Sequence, residues 1–182
     1  MTDVNWLGDN GGMTPGYRIR HARPDDAPRL AVLAAQVWMH TYAKDGVSHI
    51  IAGYVLTEMT PQVYAAKLCN PAITILVAER DVHLLGFAVV QSGLVCANAP
   101  QATMELTSLY VQAHCKGQGM GSRLLHDARA LAAAHASSRL WLTVNAQNVA
   151  AIDFYTHRNF QRVSTADFVL GGVAHENWVM QG

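Results

Sequence analysis

Apolar residues along the chain recur at two spacings, every second position and every third or fourth, and the switches between them mark the elements. Residues 17–22 alternate polar and apolar side chains and predict a short strand. Pro24-Asp25-Asp26 opens a helix, because acids suit the positive helix start and proline is tolerated there. Leu30, Leu33, Ala34, Val37, Trp38 and Thr41 give that helix one apolar face. Residues 44–56 carry no period and read as irregular. Thr60-Pro61 is a cap followed by a first-turn proline, predicting a second helix that bears Val63, Tyr64 and Leu68.

The period then changes. Residues 72–79 and 83–91 are β-branched and apolar around Arg80-Asp81, as in an antiparallel hairpin. A loop at 93–100 leads to a third apolar strand at 104–111. Beyond the glycines at 117–121, Leu124, Leu125, Ala128, Leu131 and Ala132 form the stripe of a helix running to residue 137. Residues 140–144 are continuously apolar, as in a strand covered on both faces. Residues 145–158 fit a helix with Val149, Ile152, Phe154 and Tyr155 as its large apolar members. Strands near 162–170 and 174–180 close the chain around a Gly171-Gly172 turn. The order β-α-α-β-β-β-α-β-α-β-β predicts an α/β (α+β) fold, a mixed and mostly antiparallel sheet flanked by helices.

Length and charge narrow the picture. At 182 residues the chain fits one domain, with 1–16 as a loose arm and 17–182 as the folded unit. Charged residues make up 14%, against about 25% in ordinary soluble domains, which excludes a mostly disordered chain. Thirteen basic and thirteen acidic side chains cancel, leaving no excess to neutralise a phosphate backbone, so nucleic acid is not an expected partner. Cys69, Cys96 and Cys115 are widely spaced, and the nine histidines form no HExxH or ligand cluster, so no metal is expected. No run approaches the ~20 apolar residues of a membrane span, and the start lacks the build of a signal peptide. The expected setting is cytoplasmic, away from membranes.

The most informative segment is Val111-Gln-Ala-His-Cys-Lys-Gly-Gln-Gly-Met-Gly-Ser122, set between an apolar strand and an amphipathic helix. Glycines there let successive main-chain N–H groups face outward at a helix start, which suits a phosphate or diphosphate. A P-loop needs a lysine after its last glycine, and none follows here. A dinucleotide fingerprint needs a third glycine where Ser122 stands, and an acid near the end of the next strand, where Val144-Asn145 stands.

A third pattern fits. Lys116-Gly117-Gln118-Gly119-Met120-Gly121, preceded by Glu105-Leu-x-x-Leu-Tyr-Val111, resembles the coenzyme A loop of the GNAT acetyltransferase superfamily. Downstream, Asn145-x-x-Asn148-x-x-Ala151-x-x-Phe154-Tyr155-x-x-x-x-Phe160 is similar to the second half of that family's signature. The resemblance spans residues 17–180 and extends to the order of elements. Lys116 stands where the family usually has Arg or Gln, keeping the charge without the planar fork. Asn159 stands where glycine is common, at a helix end that asparagine also tolerates.

The resemblance implies transfer of an acetyl group from acetyl-CoA to an amine by direct attack in a ternary complex. It implies a bulge that splays the 104–111 strand from its neighbour. Main-chain groups near Leu109, Tyr110 and Val111 would bind the pantetheine arm and polarise the thioester carbonyl. The amides of Gly117, Gln118, Gly119, Met120, Gly121 and Ser122 would hold the diphosphate, with Lys116 supplying positive charge to the loop, and Asn148 would bond the arm further along, although an asparagine there also reads as a helix cap. Tyr155 is the expected general acid at the sulfur, and Glu105 the expected base, working through water. The acceptor would be a small-molecule amine; a protein N-terminus or lysine, or a non-catalytic coenzyme A module, are the alternatives. Trp38, His40, Tyr42, Tyr54 and Trp178 are candidate pocket aromatics and rings, with Asp45, Asp167 or Glu176 as candidate acids. Exposed final strands also allow a homodimer.

Overall fold

The computed structural model describes residues 16–135 and 139–182. Of the expected arm, residues 1–15 lie outside the described residues, as do 136–138, where the long helix was expected to end. Seven strands form one sheet: β1 (Arg18–His21), β2 (Ile73–Arg80), β3 (His83–Ser92), β4 (Met104–Val111), β5 (Leu140–Asn145), β6 (Gln161–Leu170) and β7 (Val173–Gln181). Their spatial order is β1-β2-β3-β4-β5-β7-β6, antiparallel at every step except β4–β5. Five α-helices complete the described fold: α1 (Ala27–Tyr42), α2 (His49–Glu58), α3 (Pro61–Cys69), α4 (Met120–Ala134) and α5 (Val149–Thr156).

Both faces of the sheet are buried, which is why β2 and β3 read as unbroken apolar runs rather than alternating ones. Leu76, Ala88, Leu106, Leu142 and Met180 point to one face and pack under Leu124, Leu125 and Ala128 of α4 and Ile152 of α5. Ile75, Val77, Phe87 and Val89 point to the other face and meet Leu30 and Ala34 of α1 and Tyr64 of α3. Further along that second face, Cys96, Ala99 and Ala102 of the loop before β4 cover Val179 and Trp141. Trp141 Nε1 donates to the Leu94 carbonyl at 2.8 Å, fixing this loop on the sheet.

One expectation is corrected. Most of the stretch 44–56, read as irregular, belongs to α2 (His49–Glu58), capped by Ser48, whose hydroxyl accepts the Ile51 amide at 3.2 Å. Its apolar residues run round the helix instead of along a stripe, and Gly53 lies inside it, so neither the period nor the propensity announced it. By contrast, the Thr60 cap accepts the Val63 amide as expected, and Asn159 takes the left-handed conformation (φ 63°) that ends the α5 turn.

A charged cluster pins the first strand to the start of α1. Arg20 donates to Asp26 and to Glu79, both at 2.7 Å; Arg18 also reaches Glu79, and Arg29 reaches Asp26. Hydrogen bonds from Arg20 and then Arg18 hold the Glu79 carboxyl down at about 2, below the ordinary 4.5. A carboxylate held below its unfolded value stabilises the fold above pH ~4.5 and loses that contribution as pH falls through its folded value. The urea midpoint is therefore expected to drop between pH 5 and pH 2, and Glu79→Gln to flatten part of that slope. An unchanged slope in the variant would show that the cluster does not govern acid stability.

Candidate active site

The β4–β5 pair is where the sheet opens. The strands are parallel and pair only at Met104–Leu140 and Glu105–Trp141. Past that point β5 follows β7, while β4 stays on β3. The register on β3 slips by one residue, from Val90 opposite Leu106 to Val89 opposite Ser108, so Thr107 is the bulged residue. From Leu106 to Val111, main-chain groups that do not face β3 turn toward the gap without a β5 partner. The expected splay is present, with its bulge at Thr107, and Leu109, Tyr110 and Val111 line its open stretch.

The gap runs into the glycine loop. After a 3₁₀ turn at Ala113–Cys115, Gly117 and Gly119 both take left-handed φ of 78°, and α4 begins at Met120. The first helical bond runs from the Arg123 amide to the Gly119 carbonyl. Among the described residues, none of the six amides from Gly117 through Ser122 has a main-chain acceptor. Unpaired helix-start donors add to the helix dipole, so the loop presents a concentrated positive field to an anion. Beside it, Arg158 of the turn after α5 donates to Ser122 Oγ from both Nε and Nη2, and lies 3.7 Å over the Phe154 ring. Arg158 carries the planar fork that Lys116 lacks. Its place beside the loop comes from the packing of α5 on α4, which nothing in its local sequence announces.

Lys116 shares a small cavity of about 50 Å³ with His40, Gln36 and Val111, between α1 and the loop. A wider, shallow cavity of about 670 Å³ lies further out on that side, between α1 and the β2–β3 turn, lined by Arg29, Arg80, His83 and His114. Its lining also reaches Gln112 and His114, where β4 runs into the glycine loop.

Tyr155 and Tyr42 belong to opposite sides of the sheet. Tyr155 belongs to the core under α4 and α5, its ring edge-on to Phe154 (5.2 Å) and Phe160 (5.4 Å). Burial, then the neighbouring Tyr42 phenol, pushes its pKa well above 10, so its hydroxyl stays protonated. Tyr42 ends α1 on the other face, and its hydroxyl meets the Asn148 side chain. Asn148 does cap α5, its Oδ1 accepting the Ala151 amide at 3.3 Å. Tyr42 was expected in the acceptor pocket; its link to Asn148 is a tertiary contact that the sequence does not disclose.

Glu105 is half-buried on the last paired step of β4, and burial alone raises its pKa. Among the described residues it has no ion-pair partner, unlike Glu79.

The other pocket candidates divide by strand parity. Trp38 stacks on Tyr54 (4.8 Å) and contacts Tyr42 (5.0 Å), and Tyr54 meets Phe168 of β6 edge-on at 5.7 Å. Trp178 instead packs against the α4–α5 core with Arg162 over its ring, so it does not join them. Asp167 and Glu176 are exposed cross-strand partners with the same parity as Trp178, facing away from Phe168. Asp45 is exposed in the loop before α2.

An open strand pair that ends on unpaired helix-start amides is the architecture of a transferase using an extended, diphosphate-bearing acyl carrier. The chain belongs to the GNAT acetyltransferase family, whose model matches residues 31–160. It is similar to an uncharacterised N-acetyltransferase of Mycobacterium tuberculosis, 30% identical over 155 residues that cover 85% of this chain and 96% of the relative. Among solved structures it resembles the PaiA N-acetyltransferase of Thermoplasma acidophilum in complex with coenzyme A. That match has a TM-score of 0.72 at 22% identity, covering 91% of this chain and 97% of the other. A ribosomal-protein-alanine N-acetyltransferase of Brucella melitensis matches with a TM-score of 0.66 at 23% identity, covering 91% and 98%. The chain is therefore an acetyltransferase, and acetyl-CoA is the donor its family uses. Among the described residues no helix is long and apolar enough to cross a membrane.

Proposed function

We propose that this acetyltransferase acts on the primary amine of a small molecule, by direct attack on acetyl-CoA in a ternary complex. The observation that carries the reading is the continuity of the β4–β5 gap with the unpaired amides from Gly117 through Ser122. Acetyl-CoA supplies an activated thioester. The loop amides, with Lys116 and the Arg158–Ser122 pair beside them, hold the diphosphate. Unpaired main-chain groups at Leu109, Tyr110 and Val111 orient the pantetheine arm and donate to the carbonyl oxygen as charge builds on it. Asn148 bonds the arm further along. Glu105 removes a proton from the amine through water, and the Tyr155 hydroxyl donates a hydrogen bond to the departing sulfur.

A small acceptor is favoured over a peptide by how the second face is closed. The β6–β7 tip folds onto α2, so near that a Cβ built at Gly171 would lie 2.7 Å from Ile50. A peptide substrate needs an open groove across this face.

Titration calorimetry with coenzyme A tests the loop. Gly119→Ala forces a side chain onto a left-handed residue and disturbs the amide array. Arg158→Ala removes a cation beside it. Each is expected to weaken binding by about tenfold or more, the worth of one hydrogen bond to a charged group. Unchanged affinity in both variants would move the diphosphate elsewhere. For the intact protein, release of free thiol from acetyl-CoA in the presence of simple amines tests catalysis itself.

A further inference from the structure

Gly86 is the one residue of the buried run 84–90 of β3 without a side chain. Leu84, Leu85, Phe87, Ala88, Val89 and Val90 are buried beside it. Glycine weakens a strand interior, because it adds no packing and loses more backbone freedom on folding than other residues. Backbone shape does not call for it here. Gly86 is not among the glycines with positive φ, and the one-residue slip against β2 that falls at Leu85 leaves it outside the left-handed region. Space does call for it.

A Cβ at Gly86 would lie 2.7 Å from the Tyr110 carbonyl oxygen, 3.1 Å from Val111 Cγ2 and 3.3 Å from Met120 Sδ. The first of these is a backbone atom, nearer than a Cβ ever packs, so the strand itself would have to give by several tenths of an ångström. At Gly171 and Gly182 the atoms that a Cβ would meet belong to side chains. Gly117 and Gly119 differ in kind, with left-handed φ and nothing within 4 Å.

The three residues that a Cβ would strike all belong to the proposed donor site. Gly86 is the β3 partner of Val111, the last residue of β4. The Gln112 amide donates to the Leu85 carbonyl at 2.9 Å, and successive residues of a strand turn their main-chain groups to opposite edges. Those of Val111 therefore face the gap. Met120 opens α4, and its amide is one of the six without a main-chain acceptor. On its other edge β4 has no strand partner beyond Glu105. A push from β3 is relieved into the gap.

We infer that Gly86 is a positioning residue for the acyl carrier, on the reading that the pantetheine arm lies between β4 and β5. Its missing side chain lets β4 close on β3. That approach sets the width of the gap and holds Val111 in register with the first amides of α4.

The test is calorimetric titration of coenzyme A into Gly86→Ala. Gly53→Ala is the control, since a Cβ there, inside α2, meets nothing within 4 Å. Gly86→Ala is expected to keep its fold by circular dichroism and to bind coenzyme A about tenfold or more weakly, where a full misplacement of about 1 Å costs roughly 10²-fold. Gly53→Ala should bind as wild type does. Gly86→Ala/Met120→Ala beside Met120→Ala alone is the second comparison. It frees the helix side and keeps the contact with the Tyr110 carbonyl, so a similar weakening is expected. Wild-type affinity in folded Gly86→Ala, no difference between the two Met120→Ala proteins, or loss of fold in both Gly86 variants would overturn the assignment, because a strand free to move into the gap keeps its fold. Any of these overturns it alone if Gly119→Ala and Arg158→Ala still weaken binding. Wild-type protein without affinity for coenzyme A, or unchanged affinity in those two loop variants, would overturn the reading beneath it.

Discussion

Tyr155→Phe is expected to lower kcat for thiol release by roughly 10²–10³-fold, the usual cost of removing one positioned hydrogen-bond donor to developing charge. Coenzyme A binding and thermal stability should stay close to wild type. The substitution keeps the ring, and with it the edge-on contacts to Phe154 and Phe160 that hold the side chain in the core. What disappears is one hydroxyl. Burial pushes this phenol above its ordinary value, so it stays protonated across the working range. It also parts with its proton less readily than a phenol in water, and an ordinary thiol ionises near ~8.5. Its favoured part is therefore hydrogen-bond donation to the developing thiolate. Single-turnover thiol release beside calorimetry measures the two quantities separately, and a Phe variant with undiminished turnover would remove Tyr155 from the reaction.

Glu105→Gln is expected to cost a similar factor, and its signature is the pH profile. A base must be deprotonated to act, and burial raises the Glu105 pKa above the usual 4.5. The acid limb of wild-type kcat/KM should therefore inflect above the ordinary glutamate range, and the Gln variant should lose that limb. The stability sign runs opposite to that of Glu79. A carboxyl whose folded pKa is raised favours the protonated native state, so its ionised form works against folding at neutral pH. Glu105→Gln should hence be at least as stable as wild type at pH 7, by urea denaturation. A variant that loses activity and stability together would mark Glu105 as structural.

Much of this architecture is written in short-range patterns. The Thr60 cap, the left-handed Asn159, the Gly171-Gly172 turn with φ of 58° and 81°, and the doubly buried β2 each follow from local backbone or packing preference. The glycine loop is legible because its anion chemistry resides in the backbone, and glycine spacing reports backbone shape. The helix α2 was missed because it has no buried face of its own: none of its residues is fully buried, and Leu56 is 75% exposed. Arg158 beside Ser122, Tyr42 against Asn148 and Tyr54 against Phe168 join elements far apart in sequence. Such contacts depend on how helices settle on the sheet, and no local pattern encodes them. Trp178 shows the converse, since one residue of strand parity decides which side of the protein an aromatic serves.

That parity gives Thr107 a wider importance. Before it, the even-numbered Met104 and Leu106 point toward α4; after it, the odd-numbered Leu109 and Val111 do so, while Tyr110 turns to Phe87 on the opposite side. The inserted residue acts as a phase shifter. Removing it would rotate the rest of the strand by half a turn, driving a phenol into the helix-packed interior and lifting two aliphatic side chains out of it. The chain therefore tolerates no frame change at this point: the kink that opens the sheet and the pattern that closes the core are set by the same threonine.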